Sequence, residues 1–231
     1  MLIVEKWVLN FKWQVTRPFN LFRQNSVHLD IGCGKRPANP FNSDFLIGAD
    51  IYTINSIFEN NFKSIIIDNF HIPLEDSSVD SISAYDFLEH VPRNEHGGVD
   101  NPFIQIMNET YRVLKQGGIF LAVTPAYPSR IAFQDPTHLN IITKGTLNYF
   151  ADEAYGNILG YGVSCKYKII VNQWLVGRAP YIGRMDVNSD RSINSYPIEK
   201  IGIKNYLKII KRTLIMLLPH RRTHLLWVLQ K

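Results

Sequence analysis

Two cysteines, Cys33 and Cys165, are all that 231 residues contain, too few for the disulfide framework of a small secreted scaffold. The expected compartment is therefore a reducing one, the cytoplasm. Long uncharged apolar runs are missing as well. The opening stretch MLIVEKWVLNFKWQVTRPFNLFR is interrupted by Glu5, Lys6 and Lys12 and has no small-residue cleavage site, so a signal peptide is not expected, and no later window has the length of a bilayer span. Internal repeats and low-complexity tracts are also absent. What remains, 45% apolar and 19% charged residues, is enough to bury a full core in one domain.

The net charge of +5 is unevenly spread. Lys200, Lys204, Lys208, Lys211, Arg212, Arg221 and Arg222 face Glu199 alone between 199 and 222, and Lys6, Lys12, Arg17 and Arg23 face Glu5 alone between 1 and 23. The ends are basic and the middle is acidic. A nucleic-acid partner is not expected, because no reader motif is present and the basic residues lie away from the candidate site. An anionic membrane surface or an anionic small substrate fits better.

Apolar, β-branched runs recur as SVHLDIG (26–32), FLIGADI (45–51), SIIID (64–68), DSISAYDF (80–87), GIFLAVTP (118–125), KYKIIVNQW (166–174) and HLLWVLQ (224–230). Before the fifth, NPFIQIMNETYRVLKQGG reads as a helix: Asn101 caps it, Pro102 starts it, Ile104, Met107, Tyr111 and Leu114 form its stripe, and Gly117 with Gly118 stops it. Strands alternating with helical or turn segments predict an α/β fold, a Rossmann-like doubly wound sheet, mostly parallel with a C-terminal antiparallel hairpin. The expected organisation is a basic amphipathic segment at 1–23 and a body at 24–231, with an insertion at about 176–222 between the last two strands. Only KRPANPFNSD separates the first two strands, and Pro37 and Pro40 leave little room for a helix there.

The first strand breaks into Gly32-Cys33-Gly34, a turn suited to close backbone approach by a ligand. Asp50 ends the second strand, placed to accept hydrogen bonds from the ribose hydroxyls of a nucleoside cofactor. Nicotinamide and sulfonium cofactors both meet that description. A dinucleotide fingerprint needs a glycine three positions after Gly34, and Pro37 stands there, so the pyrophosphate site is missing.

With these residues the sequence resembles the class I S-adenosylmethionine-dependent methyltransferases. VHLDIGCG matches their first motif, IGADI their ribose-binding acid, IIIDNFHIPLEDSSVDSISAYDFLEHV their third and fourth strands, and ETYRVLKQGGIFLAVTP their helix and fifth strand. The resemblance covers about residues 24–175; it departs from the family where a third glycine is usual and Arg36 stands instead. It implies S-adenosylmethionine as cofactor, with Asp30, Gly32 and Gly34 along the methionine portion, Asp50 at the ribose and Asp68 near the adenine. YDFLEHV looks like the Glu-x-x-Glu-His metal motif of the ubiquinone-biosynthesis O-methyltransferases, with Asp86 in place of the first Glu. That implies Asp86, Glu89 and His90 as ligands of a hard divalent ion such as Mg²⁺. The alternative is that Glu89 pairs or caps and His90 faces substrate with no metal.

After the fifth strand, DPTHLN carries Asp135, His138 and Asn140 in a loop that belongs to the site of an open α/β sheet. It is similar to methyltransferases of bacterial surface-polysaccharide and other glycan pathways. Tyr127, Phe133 and Tyr149 are candidates for pocket walls. The expected activity is O-methylation of a small-molecule or glycan hydroxyl, with His138 or His90 as base and Asp135 orienting the imidazole. Methylation of a lipid-like quinol and a cofactor-binding module without catalysis stay open beside it. The basic apolar helix expected over 199–222 suits peripheral contact with the inner membrane surface or packing on the sheet.

Overall fold

The computed structural model describes residues 24–53, 61–93, 101–152, 161–176 and 222–231. The expected N-terminal segment at 1–23, the insertion and the basic helix lie outside the described residues, apart from the insertion's first and last positions. Seven strands form one sheet: β1 (Val27–Ile31), β2 (Phe45–Asp50), β3 (Phe62–Ile66), β4 (Val79–Tyr85), β5 (Leu114–Pro125), β6 (Lys168–Val176) and β7 (Arg222–Gln230). Their order is β3-β2-β1-β4-β5-β7-β6. β1 to β5 pair in parallel, whereas β7 runs antiparallel to both β5 and β6. This is the predicted Rossmann-like sheet with its antiparallel C-terminal pair.

Central strands of such a sheet are covered on both faces, and β7 shows the consequence. Leu225, Trp227 and Leu229 join the larger core, while Leu226 and Val228 join a smaller cluster with Tyr85, Ile119 and Val123. No helix connects β1 to β2. Residues 32–44 turn the chain instead, held by Asn39, whose Oδ1 accepts from the Ser43 N–H and whose Nδ2 donates to the Ser43 carbonyl, both at 2.9 Å.

The helix α1 (Pro102–Val113) begins where the sequence predicts, with the Asn101 carboxamide accepting from the Phe103 and Ile104 N–H groups. Its end and its face differ from the prediction. Leu114 is already extended and pairs with Val79 on β4, so Gly117 and Gly118 lie inside β5. Phe103, Ile106, Met107, Thr110 and Val113 form the buried stripe. Thr110 can be there because its hydroxyl donates to the Met107 carbonyl (2.8 Å) and accepts from the Tyr167 hydroxyl (3.0 Å).

Candidate functional site

The strand order reverses at β1 and β4, which leaves a crevice above their carboxyl ends. Gly32 and Gly34 line it with φ of +64° and +54°. A Cβ on Gly32 would sit 2.5 Å from the Phe87 ring, so the loops after β1 and β4 touch there, while a Cβ on Gly34 would meet nothing within 4 Å. Asp50, half-buried at the end of β2, accepts from the Gly34 N–H on Oδ2 and from the Ile51 N–H on Oδ1, each at 2.7 Å. One carboxylate thus fixes the glycine turn, and each oxygen keeps a second lone pair to offer a ribose hydroxyl. Asp68 is exposed on the loop after β3, one residue beyond the Ile67 N–H that bonds the Asp50 carbonyl at 2.9 Å.

Asp30 is not placed to line the crevice. It is 2% exposed, accepts from the Ser83 hydroxyl on Oδ1 and from the Ala38 N–H at 2.7 Å on Oδ2, and so braces the loop from beneath. Ser83 is also 2.8 Å from His28 Nε2, and His28 Nδ1 is 2.7 Å from the Ser81 hydroxyl. An ionised Asp30 only accepts, so the Ser83 proton points to it and Ser83 takes the N–H of His28. Burial pushes the His28 pKa down to about 3, which keeps the ring neutral. Sequence reasoning missed this relay; its only signal was three polar residues, His28, Ser81 and Ser83, inside apolar strands.

The second group of side chains is built by a 3₁₀ turn after β4 (Leu88–His90) and by the loop after β5. The Glu89 carbonyl accepts from the Leu139 and Asn140 N–H groups at 2.8 Å, which locks the two segments together. Asn140, 2% exposed, accepts from Arg93 Nε and donates to the Leu88 carbonyl at 3.3 Å. The Glu89 side chain is 1% exposed. Its Oε2 accepts from the Thr124 hydroxyl at 3.0 Å, whereas Oε1 has no hydrogen-bond partner and stands 3.9 Å from His138 Nε2. Burial first, then the charges of Asp86 and Asp135, push its pKa up to about 8.

Both histidines have their tautomer fixed by acceptors. His138 Nδ1 lies 3.1 Å from the Ala132 carbonyl and so carries the proton. His90 Nδ1 lies 3.1 Å from the carbonyl and from the hydroxyl oxygen of Thr137, and that hydroxyl already donates to Asp135 Oδ1 at 2.7 Å. In its neutral form each ring therefore keeps the Nε2 lone pair free. Asp135, held below the usual carboxylate range by the two hydrogen bonds from Thr137, places Oδ2 3.9 Å from His138 Nε2. The ligand set expected at Asp86, Glu89 and His90 is drawn differently: Glu89, His90 and His138 bring one ligand atom each within 4.8 Å of one another. Asp86 takes φ +49° and turns its Oδ1 to within 3.4 Å of His224 Nε2 on β7. The exchange matters for the ion, since two imidazole nitrogens and one carboxylate do not suit Mg²⁺, which prefers oxygen ligands.

Beside this cluster a shallow, open surface hollow of about 450 Å³ is lined by Arg130, Phe133 and Gln134. It shares the one-turn helix Ile131–Gln134, whose Ala132 carbonyl holds His138. Of the expected wall residues, Phe133 lines the hollow and Tyr127 packs edge-on against Phe133 at 6.2 Å, while Tyr149 is not in the lining.

Residues 29–122, which run from β1 through most of β5, match a family model described as a methyltransferase domain. Over that span the chain is similar to methyltransferases. No curated protein sequence matches it significantly. Solved structures share this fold at low identity. An S-adenosylmethionine-dependent methyltransferase from Archaeoglobus fulgidus is 17% identical with a TM-score of 0.53, covering 97% of this chain and 94% of its own. A geranyl diphosphate methyltransferase in complex with S-adenosylmethionine is 13% identical with a TM-score of 0.51, covering 96% and 83%. The [4+2]-cyclase SpnF is 12% identical with a TM-score of 0.50, covering 96% and 78%. The fold thus carries other chemistry too, and the reaction must be argued from the site.

Proposed function

We propose that this protein is a methyltransferase that uses S-adenosylmethionine to methylate a hydroxyl oxygen of a small-molecule or glycan acceptor. One observation carries the reading. Gly34 and Asp50 form a turn suited to a nucleoside, and the loop after β1 touches, at Phe87, the turn that carries His90 and is bonded through the Glu89 carbonyl to the loop that carries His138.

The sulfonium methyl is already electrophilic, so the protein's task is to align donor and acceptor and remove one proton. The acceptor oxygen attacks the methyl carbon in line, the sulfur–carbon bond breaks, and S-adenosylhomocysteine leaves with the electron pair. The hydroxyl proton is lost to the Glu89, His90 and His138 cluster, where His138 is held for that purpose by Ala132. A non-catalytic cofactor module would have no use for such a cluster. The acceptor body would lie toward Arg130, Phe133 and Gln134. A lipid-like quinol is the second reading, favoured by the exposed apolar side chains Tyr127, Phe133, Leu139 and Ile141 around that loop.

The test is incubation with S-adenosylmethionine and panels of nucleotide-sugars and quinols, read by product mass. A product heavier by one methylene is expected with a hydroxyl acceptor and is lost in His138→Ala, while cofactor affinity in that variant stays near wild type. Asp50→Ala should weaken cofactor binding by about 10² or more, since two hydrogen bonds to a charged acceptor are removed. Equal affinity in Asp50→Ala and wild type would remove Asp50 from the site; tight cofactor binding with no methylated product from either panel would leave the module reading.

A further inference from the structure

We infer that Glu89, His90 and His138 bind a divalent first-row transition metal ion of the Zn²⁺ type, through Glu89 Oε1 and the Nε2 atoms of the two histidines. Three independent features converge on it. Each residue brings one ligand atom within 4.8 Å of the other two, and Glu89 Oε1 is 3.9 Å from His138 Nε2. A closed tetrahedral zinc site with ligands near 2.1 Å has ligand–ligand separations of about 3.4 Å, so the set closes with side-chain shifts on the order of an ångström.

The second feature is the outer ring of hydrogen bonds. Imidazoles that ligate metals usually give their other N–H to a carbonyl or carboxylate, which fixes the ring and leaves one nitrogen for the ion. Here His138 gives Nδ1–H to the Ala132 carbonyl and His90 gives its own to Thr137. Glu89 is held the same way, its Oε2 by the Thr124 hydroxyl. The third is the unpaired atom. Glu89 Oε1 is buried with no hydrogen-bond partner and faces His138, and a buried polar atom without a partner is costly unless something else satisfies it.

The choice of ion follows from the donors. Two nitrogens and one oxygen suit Zn²⁺ and its first-row neighbours. Three protein ligands leave at least one position open, as in catalytic rather than structural sites; the His138 side chain is 8% exposed, but His90 is only partly buried, so that position can be reached from the His90 side. The role of the ion in catalysis rests on the methyl-transfer reading: with both Nε2 atoms on the ion, the histidines would act as ligands in place of the base, and an acceptor hydroxyl bound at the open position would have its pKa lowered, release its proton to solvent and be fixed in line with the methyl group. The binding claim does not depend on that reading.

The experiment uses the tag-free full chain, stripped with a chelator and titrated with Co²⁺ and Zn²⁺. One equivalent of Co²⁺ is expected, with visible absorption bands that Zn²⁺ displaces and millimolar Mg²⁺ does not. Glu89→Gln and His138→Ala should each weaken Zn²⁺ binding by about 10² or more, whereas Asp86→Asn should leave it unchanged; circular dichroism checks that the variants fold. No stoichiometric binding, or affinity unaltered when His90 and His138 are both replaced, overturns the site. Loss of binding in Asp86→Asn but not in His138→Ala overturns the ligand set. S-adenosylmethionine affinity measured on the same metal-free samples reports separately on the methyl-transfer reading.

Discussion

Gly32 and Gly34 share a left-handed backbone two residues apart, but different things limit their replacement. At Gly34 the only obstacle is φ, because a Cβ there points into open space; alanine should cost about 1–2 kcal/mol of stability, the price of the left-handed region for an L-residue. At Gly32 the same penalty is joined by a 2.5 Å clash with the Phe87 ring, so Gly32→Ala should cost clearly more, and adding Phe87→Ala should recover the difference between the two positions. Denaturant unfolding of the three variants checks it. Equal costs at 32 and 34 would mean that Phe87 moves aside freely, and that the loops after β1 and β4 are not in firm contact.

At the scale of elements, α1 shows which features local sequence can specify. Its start depends on Asn101 and Pro102, neighbours in the chain, and Asn101→Ala should lower stability by about 1 kcal/mol in thermal or denaturant melts because two N–H groups lose their acceptor. A change within error would mean water replaces the cap at no cost. Its end is set elsewhere: Leu114 is captured by Val79 across the sheet, and the Gly117 N–H is taken by the Lys231 carbonyl at 2.9 Å, from the far end of the chain. The buried stripe was misjudged for a similar reason, since Thr110 becomes a core residue only through Tyr167. The site divides in the same way. The turn formed by Gly32, Gly34 and Asp50 was legible because each sits at the end of a strand whose apolar run is visible. Glu89 and His90 were legible as a motif, but their partner His138 is 48 positions away, and Asp86, next to them in sequence, is drawn off by His224 from the last strand.

The whole molecule carries one titration that its centre cannot absorb locally. His28 lies on β1, which pairs with β2 on one side and β4 on the other, and its ring is fully buried between Ser81 and Ser83, the second of which connects it to Asp30. Protonating it requires opening the middle of the seven-stranded sheet, so the cost falls on global unfolding. Unfolded, the ring has its ordinary value of 6.5; folded, that value is about 3. Between these two values the unfolded chain binds a proton that the folded one refuses. The contribution of His28 is therefore intact above pH 6.5 and is lost as pH falls toward 3, at up to about 1.4 kcal/mol per pH unit. A His28→Gln variant keeps an uncharged polar group between Ser81 and Ser83 and has no such titration. It should be less stable than wild type at pH 7, where the fitted relay is lost, and the gap between them should narrow by nearly that slope as pH falls from 6.5 to 4.5. Urea unfolding at pH 7, 5.5 and 4.5 reads this directly, with all carboxylates common to both proteins. Parallel stability curves would mean that His28 accepts its proton in the folded state, and that the neutral relay from Ser81 to Asp30 is not what holds the glycine turn.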